Sequence, residues 1–247
     1  VAFVLGFVLL GVGSGSTGAA DVLGGMFNFG SSSGGTSISK LQKKVDASPK
    51  NAKAWRDLAT ALEQKQRTQD AVNALERYTA LRPKDQNALA ELASEYGTLA
   101  TNYAGDYSSA QAEAQQFSSP GAVFAPASTT PFGKAFADPS ALQDPISASI
   151  QSQASAKQST AYTNFQTAQQ NAESVYQKLV ALNPSDATTQ IQLGQAAQSA
   201  GDSKVAIGAY EAFLKLAPTD PLAPQVKQAL KQLRLQTPAA TSTTSGG

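Results

Sequence analysis

The chain predicts an all-α solenoid of about three helical hairpins in series, the middle one split by a long insertion. Two observations carry that expectation. Trp55, Leu58, Ala59, Leu62, Ala71, Leu75, Tyr78 and Pro83 return as Gln190, Leu193, Gly194, Ala197, Ala206, Tyr210, Phe213 and Pro218, every pair 135 residues apart. One shared offset over so many positions marks a repeated structural unit rather than two unrelated helices. A shorter period shows in the prolines, since Pro49 and Pro83 are 34 residues apart, as are Pro184 and Pro218. Proline suits the junction between helix pairs because it stops one helix and lets the next begin.

The chain opens on an apolar run, residues 1 to 13, VAFVLGFVLLGVG. As a helix it spans about 20 Å, short of the roughly 20 residues that a bilayer core needs. With Val as its first residue the run is expected to continue upstream, and two readings stand: the end of a single membrane anchor, or a signal peptide ending near Gly18, Ala19 and Ala20. Residues 14 to 39 carry Asp21 as their one charge, and the first cation is Lys40. A cytoplasmic flank is usually richer in Lys and Arg, so the remainder is expected outside the cytoplasm. Gly11, Gly13 and Gly15 superficially match a dinucleotide-binding turn, but Ser16 stands where a third glycine belongs and no acidic residue follows about 20 positions on. Residues 14 to 36 read instead as a Gly/Ser-rich tether, with Val22, Leu23, Met26, Phe27 and Phe29 as a small apolar patch.

The repeat region is expected over 37–236. Leu41, Lys44, Val45 and Pro49 form the second helix of an incomplete leading unit that caps the array. The first full unit is NAKAWRDLATALEQKQRTQDAVNALERYTALRPKD and the third is ATTQIQLGQAAQSAGDSKVAIGAYEAFLKLAPTD, with Gly201 and Asp202 at its turn. In the middle unit, Leu89, Leu92, Ala93 and Tyr96 mark a first helix and Ala172, Tyr176, Leu179 and Pro184 end a second, yet Pro83 and Pro184 are 101 residues apart. The extra residues place an insertion at about 104–156. Part of it is helix extension: residues 86 to 116 are rich in Ala, Glu and Gln, with Gly105, Asp106 and Tyr107 as a turn, and 157 to 183 suits one long helix.

Prolines 120, 126, 131, 139 and 145 oppose regular structure over 118–150, while Phe117, Phe124, Phe132 and Phe136 offer apolar anchors. A partner-binding loop and a disordered segment both fit that composition. Leu222, Val226, Leu230 and Leu233, at helical spacing, read as a closing helix over the last apolar face, and 237–247 as a disordered tail.

These residues closely resemble the tetratricopeptide repeat family. The resemblance implies units of two antiparallel helices that cannot bury their apolar faces alone and so stack. Ala59, Ala71, Gly194 and Ala206 are the small residues that let helices approach, while Trp55, Leu62, Tyr78, Tyr210 and Phe213 fill the space between pairs. It also implies a recognition groove lined by outward positions of the first helices: Lys53, Arg56, Asp57, Thr60 and Gln64, then Glu91 and Ser94, then Thr188, Ile191, Gln192, Gln195 and Ser199. Members that grip an acidic chain terminus use several cations on successive first helices; here Arg56 is left without such company in the third unit.

Composition excludes most chemistry. With no histidine and no cysteine there is no thiolate zinc site, disulfide, cysteine nucleophile or imidazole base. A net charge of +1 from 19 Lys+Arg and 18 Asp+Glu gives no phosphate-binding field, so no nucleic-acid partner is expected. Glu91 and Glu95 sit one helical turn apart, but neither a second acid–base group nor six oxygens for calcium is evident, so they read as a solvated helix face with no metal. Lys40, Lys43 and Lys44 beside the tether suit solubility or mild attraction to anionic headgroups.

Together these features predict a non-enzymatic scaffold without cofactor, single-pass in a bacterial cell membrane, whose extracytoplasmic repeats bind a protein or peptide partner. One anchor followed by such repeats resembles bacterial factors that chaperone secreted proteins or help mature cytochromes c. The competing expectation is a structural subunit of a larger envelope complex or filament.

Overall fold

The computed structural model describes residues 37–116, 130–131 and 145–236. The chain divides into two units, Val1–Thr36 and Ser37–Gly247. The first lies outside the described residues, and with it the anchor and tether readings, as do the insertion anchors Phe124, Phe132 and Phe136 and the tail. Among the described residues every regular element is helical: α1 Ile38–Ala47, α2 Ala52–Glu63, α3 Thr68–Leu81, α4 Gln86–Gln116, α5 Pro145–Leu182, α6 Ala187–Ala200, α7 Ser203–Leu216 and α8 Ala223–Gln236. Each packs chiefly on its neighbours in sequence, so α2–α3, α4–α5 and α6–α7 form three hairpins in series between α1 and α8. The second unit is therefore a tetratricopeptide-like array of helical hairpins, its middle hairpin enlarged.

Local chemistry sets where these helices begin. The Asn51 side chain accepts from the Ala54 amide at 3.2 Å, Asp85 from Ala88 at 3.1 Å, Asp186 from Thr188 at 2.9 Å and Asp202 from Val205 at 2.9 Å. Each bond satisfies an amide that a helix N-terminus leaves without an intrahelical partner. Gly201 ends α6 at φ +83°, a left-handed conformation that glycine adopts without Cβ strain. Pro83, Pro184 and Pro218 each follow a second helix, of the first, middle and third hairpin respectively.

Burial follows the repeat pattern at most positions. Leu58, Ala59, Leu62, Ala71 and Leu75 are buried in the first hairpin, as are Leu193, Ala197, Ala206, Tyr210 and Phe213 in the third. All of these but Leu193 belong to two apolar cores: one runs from α1 to α5, and the other joins α6, α7 and α8. Gly194 is required sterically, because a Cβ there would stand 2.4 Å from the Tyr210 ring. Three positions depart from expectation. Trp55 and Tyr78 are half-buried at the edge of the core rather than filling it, each keeping its polar tip at a hydrogen-bond partner. Leu222 precedes the closing helix and is 41% exposed, leaving α8 to bury Val226, Leu230 and Leu233.

The middle hairpin corrects the reading of the insertion. No turn forms at Gly105, Asp106 and Tyr107; α4 continues to Gln116. Its far half is held by the facing helix, through Lys157 to Glu113 at 2.9 Å and the Tyr107 and Tyr162 rings 6.0 Å apart. Burial of Ala110, Ala154, Ala161 and Ala168 shows how close the two backbones run, an alanine seam with heptad spacing on α5. Helix α5 also begins at Pro145, inside the stretch expected to be irregular. Proline is tolerated in a first helical turn, where its missing N–H costs no hydrogen bond, so Pro145 opens a helix instead of breaking one.

A polar cluster on the first hairpin

Side chains from α3 and α4 meet Arg56 of α2. Helix α2 presents Arg56 toward α4, where its Nη2 donates to Glu91 Oε2 at 2.5 Å. From α3 comes Tyr78, whose ring centroid lies 5.8 Å from the guanidinium carbon, within cation–π range. The Tyr78 hydroxyl in turn donates to Asp85 Oδ2 at 2.6 Å, and the other oxygen of Asp85 caps α4. Glu91 holds the Arg56 pKa above its usual value, so the group stays cationic. The Tyr78 hydroxyl and the Ala88 amide hold Asp85 below the usual carboxylate range.

Glu63, two turns along α2 from Arg56, completes the cluster. Burial is the main cause that pushes its pKa up to about 7; its protonated carboxyl donates to Glu91, and the charges of Glu91 and Glu95 also oppose ionisation. Glu95 is raised too, by burial and then by Glu91. Glu91 and Glu95 are thus not a solvated face without company, because Glu63 and Arg56 converge on them. Two buried atoms, Arg56 Nη1 and Glu63 Oε1, have no hydrogen-bond partner among the described residues. These carboxylates do not form a metal-holding group; none occurs among the described residues.

Beside the cluster, Lys53, Arg56, Asp57, Tyr78, Arg82 and Asp85 line a cleft of about 430 Å³ between α2 and α3. Asp57 balances two lysines, Lys53 at 3.1 Å and Lys44 at 3.8 Å. Of the other groove candidates, Thr60, Gln64, Ser94 and Gln195 are exposed, and Gln192 is half-buried. No hydrogen bond joins Gln192 or Gln195 to α2 or α4 among the described residues. Ile191 is not a groove residue at all. Only 8% exposed, it packs in the second core, as an apolar side chain beside Tyr210 and Phe213 should.

The cluster and its cleft thus bring together Arg56, Lys53, Asp57 and Glu91, which the sequence singles out for a groove, with Glu63, Tyr78, Arg82 and Asp85, which it does not. Glu63 was findable, since i and i+7 share one face of a helix. Tyr78 was obscured by its repeat position, which reads as core until the hydroxyl is given a partner.

No protein-family model matches the chain, and no curated protein matches it. Solved structures of similar outline include the crystal structure of MamA, at 16% identity and a TM-score of 0.40 over 81% of each chain. A second crystal structure of the MamA protein, also at 16% identity, gives a TM-score of 0.39 over 80% of this chain and 75% of that one. The APC/C hetero-tetramer Cut9-Hcn1 is similar at 13% identity and a TM-score of 0.23, over 79% of this chain and 46% of that one. At such identities and scores these likenesses assign neither family nor function, and the fold rests on the helices and caps described above.

Proposed function

We propose that the chain is a scaffold that binds a protein or peptide partner at its first-helix face, centred on the α2–α3 cleft. The observation that carries this reading is Arg56 Nη1, a buried donor without a hydrogen-bond partner among the described residues, on a side chain that lines that cleft. Buried polar atoms are nearly always hydrogen-bonded, so a spare guanidinium donor at the cleft wall suits a carbonyl or carboxylate oxygen of an incoming peptide. Tyr78 adds an aromatic edge, and Lys53, Arg82 and Asp57 set a mixed-sign rim. We assign the chain no catalysis, because the cluster pairs its charges with one another and leaves no nucleophile beside a base.

The apolar run at 1–13 and the cation-poor flank after it support tethering to the cell membrane with the repeats outside the cytoplasm, in an assembly or chaperone-like role. No helix among the described residues is long and apolar enough to cross a membrane.

The test is site-specific photocrosslinking from full-length protein in its native membranes. A benzophenone side chain at Thr60 or Gln64 should yield a discrete adduct that Arg56→Glu removes, while the same probe at Tyr162 on the middle hairpin should not. Equal adducts from all three positions, or none from Thr60 and Gln64, would overturn the reading.

A further inference from the structure

A second surface lies in the third hairpin and the helix after it, so it stands whether or not the α2–α3 cleft binds. Helix α8 buries Val226, Leu230 and Leu233 against α7. Lys227, Lys231 and Arg234, at i, i+4 and i+7, form a stripe along the neighbouring face of the same helix. Between this stripe and α7 runs a groove of about 540 Å³, lined by the apolar Leu214, Leu230 and Leu235 and, from α7, by Lys215 and Glu211. Leu235 is 78% exposed, the most exposed of the large apolar side chains described.

Charge on this groove is one-sided. From 203 to 236 the chain carries five cations, Lys204, Lys215, Lys227, Lys231 and Arg234, against Glu211 and Asp220, in a protein of net charge +1. Arg234 bonds Glu211 at 2.7 Å, and no ion pair holds Lys215, Lys227 or Lys231 among the described residues. Favourable placement in a last helical turn accounts for Lys215 and Arg234. It does not account for Lys227 and Lys231, which lie earlier in α8. Residues 237–247, TPAATSTTSGG, hold no acidic side chain and no large apolar one, so they match neither the leucines nor the cations of the groove.

We propose that the α7–α8 groove docks an amphipathic helix of a partner protein, one with a leucine-like stripe flanked by carboxylates. Helix α8 has 14 residues, about 21 Å, which fits roughly four turns of such a helix laid alongside it. The partner's apolar stripe covers Leu235 and Leu214, and its carboxylates pair with Lys227 and Lys231 on one side and Lys215 on the other.

The test titrates the purified full chain into a fluorescent synthetic peptide of about 18 residues with leucines on one helical face and glutamates beside them. A control peptide has the same composition with the leucines scattered. The ordered peptide should bind in a salt-sensitive manner and roughly tenfold more tightly than the control, since charge alone does not read the apolar lining. K227E/K231E should weaken it about tenfold, the gentler K227Q/K231Q by a smaller factor, and Leu235→Ser about threefold, with Lys178→Glu on α5 unchanged. Circular dichroism checks that every variant stays folded. Equal affinity for both peptides, or unchanged affinity in K227E/K231E, overturns the proposal. Tight binding to phosphatidylserine-containing vesicles that K227E/K231E abolishes, with no ordered-peptide preference, overturns it in favour of a lipid surface.

Discussion

Hairpins α2–α3 and α6–α7, 135 residues apart, use the same anchor bonds with different side chains. In the first, Trp55 Nε1 donates to the Pro49 carbonyl at 2.8 Å; at the equivalent place in the third, Gln190 Nε2 donates to the Pro184 carbonyl at 3.1 Å. Where the first buries Ala59 and Leu75, the third has Gly194 and Tyr210, a smaller residue facing a larger one. The polar cluster has no such counterpart. Arg56, Tyr78 and Glu63 correspond to Ile191, Phe213 and Gln198, of which the first two are core and the last accepts from the Tyr210 hydroxyl at 2.8 Å. The hairpin frame thus tolerates exchange wherever volume and the junction bond are kept, and of these two hairpins only the first spends its half-buried positions on converging charges.

The comparison breaks most readily at the compensating pair. Gly194→Ala should cost about 3 kcal/mol, because the new methyl collides with a ring that core packing holds in place. Adding Tyr210→Leu copies the first hairpin's arrangement and should recover much of that loss, a coupling of about 1–3 kcal/mol in a double-mutant cycle by chemical denaturation. Strictly additive losses would show that the two hairpins do not share a packing solution.

Next comes the junction bond. Trp55→Ala removes both a half-buried ring and the bond to Pro49, for an expected loss of about 2 kcal/mol. Trp55→Gln, which borrows the third hairpin's residue, should lose about 1 kcal/mol less, since the amide can remake the bond. Equal losses would assign the whole effect to packing.

The charge cluster makes a pH prediction that the third hairpin cannot share. Folded Glu63 keeps its proton up to about pH 7, whereas the unfolded chain ionises it near its ordinary 4.5. Between those values the unfolded state binds fewer protons, so stability falls as pH rises through the window. Because Glu63 is only half-buried, solvent screening limits the total to about 1 kcal/mol. Glu63→Gln should flatten the profile from pH 4.5 to 7 and make the chain more stable at pH 8; denaturation midpoints across that range provide the check.

The smallest effect lies in the turns. Gln66 sits at φ +56° where the third hairpin places Gly201 at φ +83°. Gln66→Gly should relieve left-handed strain and stabilise by about 0.5–1 kcal/mol, while Gly201→Gln should cost about 1 kcal/mol. Thermal unfolding resolves shifts of this size.

What was legible in the sequence was local and periodic. Prolines 83, 184 and 218 mark the ends of second helices, Gly201 and Asp202 mark a turn, and the small residues at 59, 71, 194 and 206 mark close helix contacts, because each acts through its own backbone or its own volume. The insertion was harder to read, since Gly105 and Pro145 are ambiguous signals: a facing helix holds α4 straight through Gly105, and Pro145 opens α5 because a first helical turn tolerates proline.

Sequence by itself determined the repeat, its register and its caps, all set by residues within one turn or one period of each other. Only the tertiary structure decided that Arg56, Glu63, Tyr78 and Glu91, drawn from three helices, share one half-buried cluster, and that the stripe of Lys227 and Lys231 borders a groove with apolar lining. The physical reason is that a pKa, an ion pair or a groove depends on what the neighbouring helix brings, and spacing along one helix carries no record of its neighbour.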